Sequence, residues 1–284
     1  MVRVVIPAFD LCCLALVAHA LFVTSIFPAL EMNALHNIFL STGGEGWAWK
    51  ANVALFGPHW NFTTTSSGEY ARNPCSDNQR TWQGIKCSNS SSHCAYQTCH
   101  VTHLALASFN MQGSLPLSLS QLLHLEHLLL VDNPMLTGTI PPELGQLVLL
   151  QEFLLYGNAL TGSIPTYLGQ LVKLLDLDLS ENRLNGSIPK EIGQCSLLHT
   201  LSLYDNMITG RIPHEFEQLT QLTALYLSNL QLTGGIPAGL GRMGALRDLY
   251  LNTNSLTGSI SSDICQSVSL EFLYLYDNML TGII

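Results

Sequence analysis

The sequence predicts an α/β repeat solenoid: a right-handed superhelix of stacked coils with a parallel concave β-sheet, a short second strand and 3₁₀ turns in each coil, and an N-terminal cap. Three observations predict it. Leucine is in excess, 53 of 284 residues, with 45 of them after residue 100. Over that stretch an apolar–polar alternation returns with a period of 24 residues. Gly recurs inside every unit and Pro inside the first six, which forbids one long helix.

The concave sheet comes from the leucines. Leu104-Ala-Leu106 recurs as Leu128-Leu-Leu130, Phe153-Leu-Leu155, Leu177-Asp-Leu179, Leu201-Ser-Leu203, Leu225-Tyr-Leu227, Leu249-Tyr-Leu251 and Leu273-Tyr-Leu275. Every step is 24 residues except one of 25, where Pro134 is inserted after Asn133. Leu-x-x-Leu-x-Leu is a strand with one buried face. One coil cannot bury its own leucines, but stacked coils can. Three residues after each pair stands a structural Asn: Asn133, Asn158, Asn182, Asn206, Asn254 and Asn278, with Phe109 and Leu230 breaking the column. Its side chain can satisfy backbone groups buried at the inward turn. Leu-Thr-Gly-x-Ile-Pro follows, as in Leu136 to Pro141, Leu160 to Pro165 and Leu232 to Pro237. A Gly-x-Leu-x-x-Leu segment, as at Gly145-Gln-Leu147, closes each coil with a short turn of helix or 3₁₀. Residues 101–284 thus hold eight repeats, the last incomplete.

This pattern resembles the plant-specific class of leucine-rich repeats, found in ectodomains of receptor-like kinases and receptor-like proteins and in polygalacturonase-inhibiting proteins. The resemblance covers about two thirds of the chain. It implies that Thr-Gly-x-Ile-Pro adds the second strand and twists the superhelix. Asn73-Pro-Cys75 and Trp82-x-Gly84-Ile85-x-Cys87 look like the N-terminal cap of the same family, with six extra residues, Ser76 to Thr81, before Trp82. The cap, residues 31–100, would cover the apolar edge of the first coil. In it Ala34, Leu35, Ile38 and Phe39 share one helix face, ended by Gly43-Gly44. Trp47, Trp49, Trp60 and Phe62 follow.

The family's cap pattern carries a disulfide. Cys75, Cys87, Cys94 and Cys99 allow three pairings, and Cys75–Cys87 with Cys94–Cys99 is the favoured one, each closing a short loop. The rival is zinc, because His93, His100 and His103 lie among them. The spacings match no zinc pattern and the targeting segment implies an oxidising compartment, so no metal and no cofactor are expected. Cys195 and Cys265 sit at different repeat phases and are expected to be buried free thiols.

Residues 1–30 read as a signal peptide or an uncleaved signal anchor. Arg3 precedes an apolar run from Leu11 to Phe27, with Ala18-His19-Ala20 as a cleavage signal, and about 20 apolar residues suffice to span a bilayer. Either way the chain enters the secretory pathway, to become extracellular or cell-surface. The sequons Asn61-Phe-Thr63, Asn89-Ser-Ser91 and Asn185-Gly-Ser187 fit glycosylation there. The sequence stops at Leu280-Thr281-Gly282-Ile283-Ile284, inside a repeat, so a fragment is expected. Membrane attachment would come only through the anchor or a missing C-terminal span.

Composition narrows function. Hydrophobic content of 47% excludes a disordered chain. A net charge of −9 with only 11 Lys and Arg excludes nucleic acid, which needs a basic stripe. No phosphate loop, Gly-x-Ser-x-Gly elbow or kinase signature is present. His214-Glu215-Phe-Glu-Gln218 begins like a zinc-protease helix but has Gln218 where the second His should be. His124-Leu-Glu126-His127 lies within one repeat without a partner cluster. The chain reads as a non-enzyme, although a kinase could follow in a longer protein.

Repeat phase also lists the outward columns of the sheet. They carry Tyr156, Asp178, Glu181, Tyr204, Asp205, Tyr226, Tyr250, Tyr274 and Tyr276, with Glu152, Asp176 and Asp248 beside them, and Arg247 as the lone base. These are the expected ligand-binding residues. Tyr offers contact area at low entropy cost and acids attract cationic partners. The resemblance implies a receptor-like ectodomain sensing a peptide or protein ligand, with room for a co-receptor. The alternative is a secreted cell-wall enzyme inhibitor of the polygalacturonase-inhibiting type.

Overall fold

A computed structural model describes residues 29–51, 58–64, 66, 74–75, 81–88 and 99–282. The targeting segment, apart from its last two residues, lies outside this set, as do His93, Cys94, Asn89 and Ile283-Ile284.

The cap starts with a helix over residues 29–41, two residues earlier than the repeat-based boundary at 31. Ala34, Leu35 and Ile38 are fully buried along one face. The helix stops where the Thr42 hydroxyl donates to the Ile38 carbonyl at 2.6 Å and Gly43 turns to φ 66°, a conformation that suits glycine. Trp47, Trp49 and Trp60 pack with Phe39, Phe62 and Trp82 at ring separations of 5.0 to 6.5 Å. Phe109 joins them edge-on to Trp47 and Trp49. That explains its break in the Asn column: the first coil meets cap aromatics there. Cys75 and Cys87 are bonded. Cys99 is also in a disulfide.

Nine strands form the main sheet, in the order Ile85–Cys87, Val101–Ala105, His127–Leu129, Glu152–Leu154, Asp176–Asp178, Thr200–Ser202, Ala224–Tyr226, Asp248–Tyr250 and Phe272–Tyr274. The first pair is antiparallel and every later pair is parallel. The cap therefore contributes its own strand to the sheet and hides the hydrogen-bonding edge that the first coil would present. Leu104, Leu128, Phe153, Leu177, Leu201, Leu225 and Leu249 meet in register and are at most 1% exposed. Second strands such as Met135–Thr137, Arg183–Asn185 and Gln231–Gly234 sit at the Leu-Thr-Gly segments. Six five-residue 3₁₀ turns, from Leu117–Gln121 to Ala238–Arg242, each follow an extended Pro. Proline suits that entry because its missing N–H has no carbonyl to meet. The seventh coil uses a short α-helix instead, Ser262–Cys265, capped by the Ser261 hydroxyl.

The Asn column stitches coil to coil. Asn182 Oδ1 accepts the Leu160 N–H at 3.0 Å, and Nδ2 donates to the Leu155, Leu179 and Ser180 carbonyls. Asn206, Asn254 and Asn278 repeat this arrangement on their own preceding coils. The residue just before each Asn is left-handed: Asp132, Glu181, Asp205, Thr253 and Asp277 lie at φ 52° to 58°. Asp tolerates this region, whereas Glu181 and Thr253 carry about 1–2 kcal/mol of strain each.

Cys195 is buried and packs against the Leu168 carbonyl. Cys265 is exposed, contrary to the expectation that both thiols are buried. It occupies the column of Gly145, Gly169, Gly193 and Gly241, where the next coil presses directly on the backbone. The described part of the next coil, with strands Phe272–Tyr274 and Met279–Thr281, does not include the turn that presses on this column in the other coils. Burial pushes the Cys195 thiol up to about 11. In native protein at pH 8 a water-soluble thiol reagent should therefore label Cys265 in minutes and Cys195 only after unfolding, as read by peptide mass mapping. Equal labelling rates would contradict the burial.

Candidate functional site

The outward face of the main sheet gathers the sequence-predicted residues. Registered strands put Asp178, Ser202, Tyr226, Tyr250 and Tyr274 side by side. Three tyrosines stack edge-on down the column: Tyr226 to Tyr250 at 4.9 Å and Tyr250 to Tyr274 at 4.5 Å. Tyr276 meets Tyr274 edge-on at 6.3 Å. Edge-to-face packing fixes each ring and lowers the entropy that a ligand would otherwise have to remove.

Acids anchor two phenols of this face. Tyr226 donates to Asp248 at 3.1 Å and Tyr204 to Glu181 at 2.9 Å. Asp178 accepts from both the amide and the hydroxyl of Ser180, and Asn229 donates to Asp205. Burial, then the bond to Asp248, pushes the Tyr226 phenol up to about 12. Burial, reinforced by nearby carboxylates, also raises Tyr156. These phenols stay protonated at any physiological pH. Ser180 and Ser202 face outward yet are buried, at 0% and 2% exposure, so the strip there is a packed polar floor. Arg247 is paired with Glu271, leaving the strip acidic. Tyr156, Tyr204, Tyr226 and Tyr250 are half-buried, whereas Glu181, Asp205, Tyr274 and Tyr276 are exposed.

The other end of the face carries what sequence reading missed. His103 and His127 are registered neighbours with rings stacked at 4.1 Å, and His127 Nδ1 lies 2.9 Å from Glu152. His100 and His124 stack at 3.6 Å beside the Glu31 carboxylate of the cap helix. The segment His124 to His127 thus has partner clusters after all. The available signal was His-x-x-His recurring 24 residues apart, His100/His103 then His124/His127. His214 and Glu215, by contrast, lie on a 3₁₀ turn and, among the described residues, form an ion pair only with each other. Of the sequons, Asn61 accepts the Thr63 N–H in an Asx turn and Asn185 is exposed on a second strand. No helix among the described residues is long and apolar enough to cross a membrane.

The Leucine Rich Repeat family model matches residues 173–195, 197–219 and 221–243. A protein described as a probable leucine-rich repeat receptor-like serine/threonine-protein kinase of Arabidopsis thaliana is 36% identical over 103 residues, which are 36% of this chain and 10% of that protein. Among solved structures, the HAESA receptor kinase ectodomain of Arabidopsis, in complex with an N-terminally extended IDA peptide hormone, is 28% identical with a TM-score of 0.62. That match covers 90% of this chain and 42% of the other. A plant ice-binding protein is 25% identical with a TM-score of 0.60, covering 89% of this chain and 88% of the other. The chain spans about a tenth of the curated relative's length and less than half of the receptor ectodomain's.

Proposed function

From the premise that the chain is a leucine-rich-repeat solenoid similar to plant receptor ectodomains, we propose that it is a non-catalytic, extracellular or cell-surface recognition module that binds a peptide or protein ligand on its concave face. One observation carries this reading: the edge-stacked Tyr226, Tyr250 and Tyr274 lie in one column with Asp178 and next to Asp248. Rigid, edge-stacked aromatics beside acids suit a cationic or aromatic segment lying across the strands. A co-receptor would complete such an assembly, as in the neighbour solved with HAESA, IDA and SERK1. Secretion, glycosylation at Asn61, Asn89 and Asn185, and a cap of residues 31–100 belong to the same proposal.

The inhibitor alternative would use the same acidic face, and assaying the chain against a polygalacturonase separates the two. An ice-binding role, suggested by the neighbour of similar length, is less favoured. Ice recognition needs a flat, regular array, whereas these rings stand at 81° to one another. The hydroxyls of Thr137, Thr161, Thr209 and Thr233 on the second strands are already donated to backbone carbonyls.

The test is a peptide library selected against the immobilised, secreted chain. Selected peptides should be enriched in Lys, Arg and aromatic residues and should bind more weakly as salt rises. The triple variant Tyr226→Ala, Tyr250→Ala, Tyr274→Ala should lose at least about 30-fold in affinity, the effect of a single hot spot of about 2 kcal/mol, with its melting curve measured alongside. Undiminished affinity in the folded triple variant would remove the tyrosine column from the binding site.

A further inference from the structure

We propose that Glu31, His100 and His124 form a binding site for a divalent transition-metal ion of the zinc class, one that staples the cap helix to the first two coils. The three residues come from three separate places: the helix over 29–41, the residue before strand Val101–Ala105, and the turn before strand His127–Leu129. Their donor atoms lie within 4.8 Å of one another. Glu31 Oε1 is 2.8 Å from His100 Nδ1 and 3.8 Å from His124 Nδ1.

The carboxylate is built in. The Glu31 side chain is 10% exposed, and its Oε2 accepts the Val101 N–H at 3.0 Å. Burying a carboxylate costs free energy unless it is paired. Here a backbone donor fixes one oxygen and leaves the other aimed at two imidazoles. An ion would replace the hydrogen bond that Oε1 makes with His100 Nδ1, while the backbone bond keeps Oε2 oriented, as outer hydrogen bonds do for metal ligands.

The two imidazoles lie face to face at the site, with rings stacked at 3.6 Å and 18° between planes. An ion would take one ring nitrogen from each, in the neutral form that ligates metals. A tetrahedral ion with bonds of about 2.0 Å needs donors about 3.3 Å apart. The 3.8 Å separation must close and the 2.8 Å one must open, each by about half an ångström, and the rings must turn to aim at one point. His124 is 41% exposed, so it can make that move and leave the fourth position to water. Two imidazoles and a carboxylate suit zinc, copper, nickel or iron, and not calcium or magnesium. The stacked pair His103 and His127 with Glu152 lies one row away. It serves as the internal control, because its carboxylate reaches one ring only, His127, while Thr102 engages the His103 Nδ1.

The experiment titrates Zn²⁺ into the secreted, oxidised full chain, followed by calorimetry and thermal melting. One saturable equivalent is expected, with melting raised by on the order of 5 °C at a hundredfold excess over Kd. His124→Gln should keep the metal-free melting temperature and weaken zinc binding at least tenfold. Glu31→Gln, which preserves the shape of the side chain, should weaken it likewise, and His127→Gln should not. Absence of saturable binding in the wild type, or full affinity in either His124→Gln or Glu31→Gln, overturns the site.

Discussion

Asn182→Ala should destabilise the chain by about 3 kcal/mol, measured as a shift in urea midpoint by circular dichroism. The substitution strips partners from four buried backbone groups at once. The Leu160 N–H loses its acceptor, and the Leu155, Leu179 and Ser180 carbonyls lose a donor. A buried group left unsatisfied costs about 1–3 kcal/mol, and carbonyls that keep another bond cost least. Asn182→Asp should be no better, since it keeps the acceptor, removes the donors and buries a charge. Position in the stack matters as much as the bond count. Each coil contacts only its neighbours, so a break in the middle uncouples the two halves. Asn278 makes the same bonds in a final coil whose Leu273 is already 40% exposed. Its replacement by alanine should cost clearly less than that of Asn182. Equal losses at the two positions would mean that the ladder works through local turns alone and not through coil-to-coil coupling.

The same residue shows why so much was legible in the sequence. A period of 24 with strand parity assigns every repeat position to a face, because adjacent side chains point to opposite sides of a strand. The leucine ladder, the Asn column and the tyrosine–acid strip all follow from phase alone. What phase cannot reach lies where the repeat stops. Glu31 stands 69 positions from His100, in a cap with no period, so the three-residue cluster needed the folded cap to appear. The antiparallel strand Ile85–Cys87 was hidden for the same reason. Cys265 was misplaced because burial was assigned from hydrophobic type, whereas exposure there depends on which coil comes next. The burial of outward-facing Ser180 and Ser202 was missed because a column position says where a side chain points and not how tall its neighbours are.

The second large effect is expected at a glycine that no turn requires. Gly169 lies in a 3₁₀ turn without positive φ, yet a Cβ there would sit 2.4 Å from the Glu191 carbonyl oxygen of the next coil. Gly145, Gly193 and Gly241 are squeezed in the same way, by Tyr167, Glu215 and Asp263. Backbone cannot retreat as a flexible side chain can, so Gly169→Ala must push adjacent coils apart and should cost about 2–3 kcal/mol, the upper range for overpacking. The sequence contains its own exception. Glu217 replaces glycine in this column, and the following coil answers with Gly239 where the others carry Tyr167, Glu191, Glu215 or Asp263. Glu217 folds over that glycine and accepts its N–H at 3.2 Å. A Cβ at Gly239 would strike the Glu217 side chain, which can swing away, so Gly239→Ala should cost less than Gly169→Ala. Gly244 has nothing within 4 Å of its missing Cβ, and Gly244→Ala should be neutral or stabilising by about 0.5 kcal/mol through the unfolded chain. Urea denaturation of the three variants should therefore rank Gly169→Ala as most damaging, then Gly239→Ala, then Gly244→Ala. If Gly169→Ala proves as mild as Gly244→Ala, coil spacing is set by something softer than backbone contact at this column.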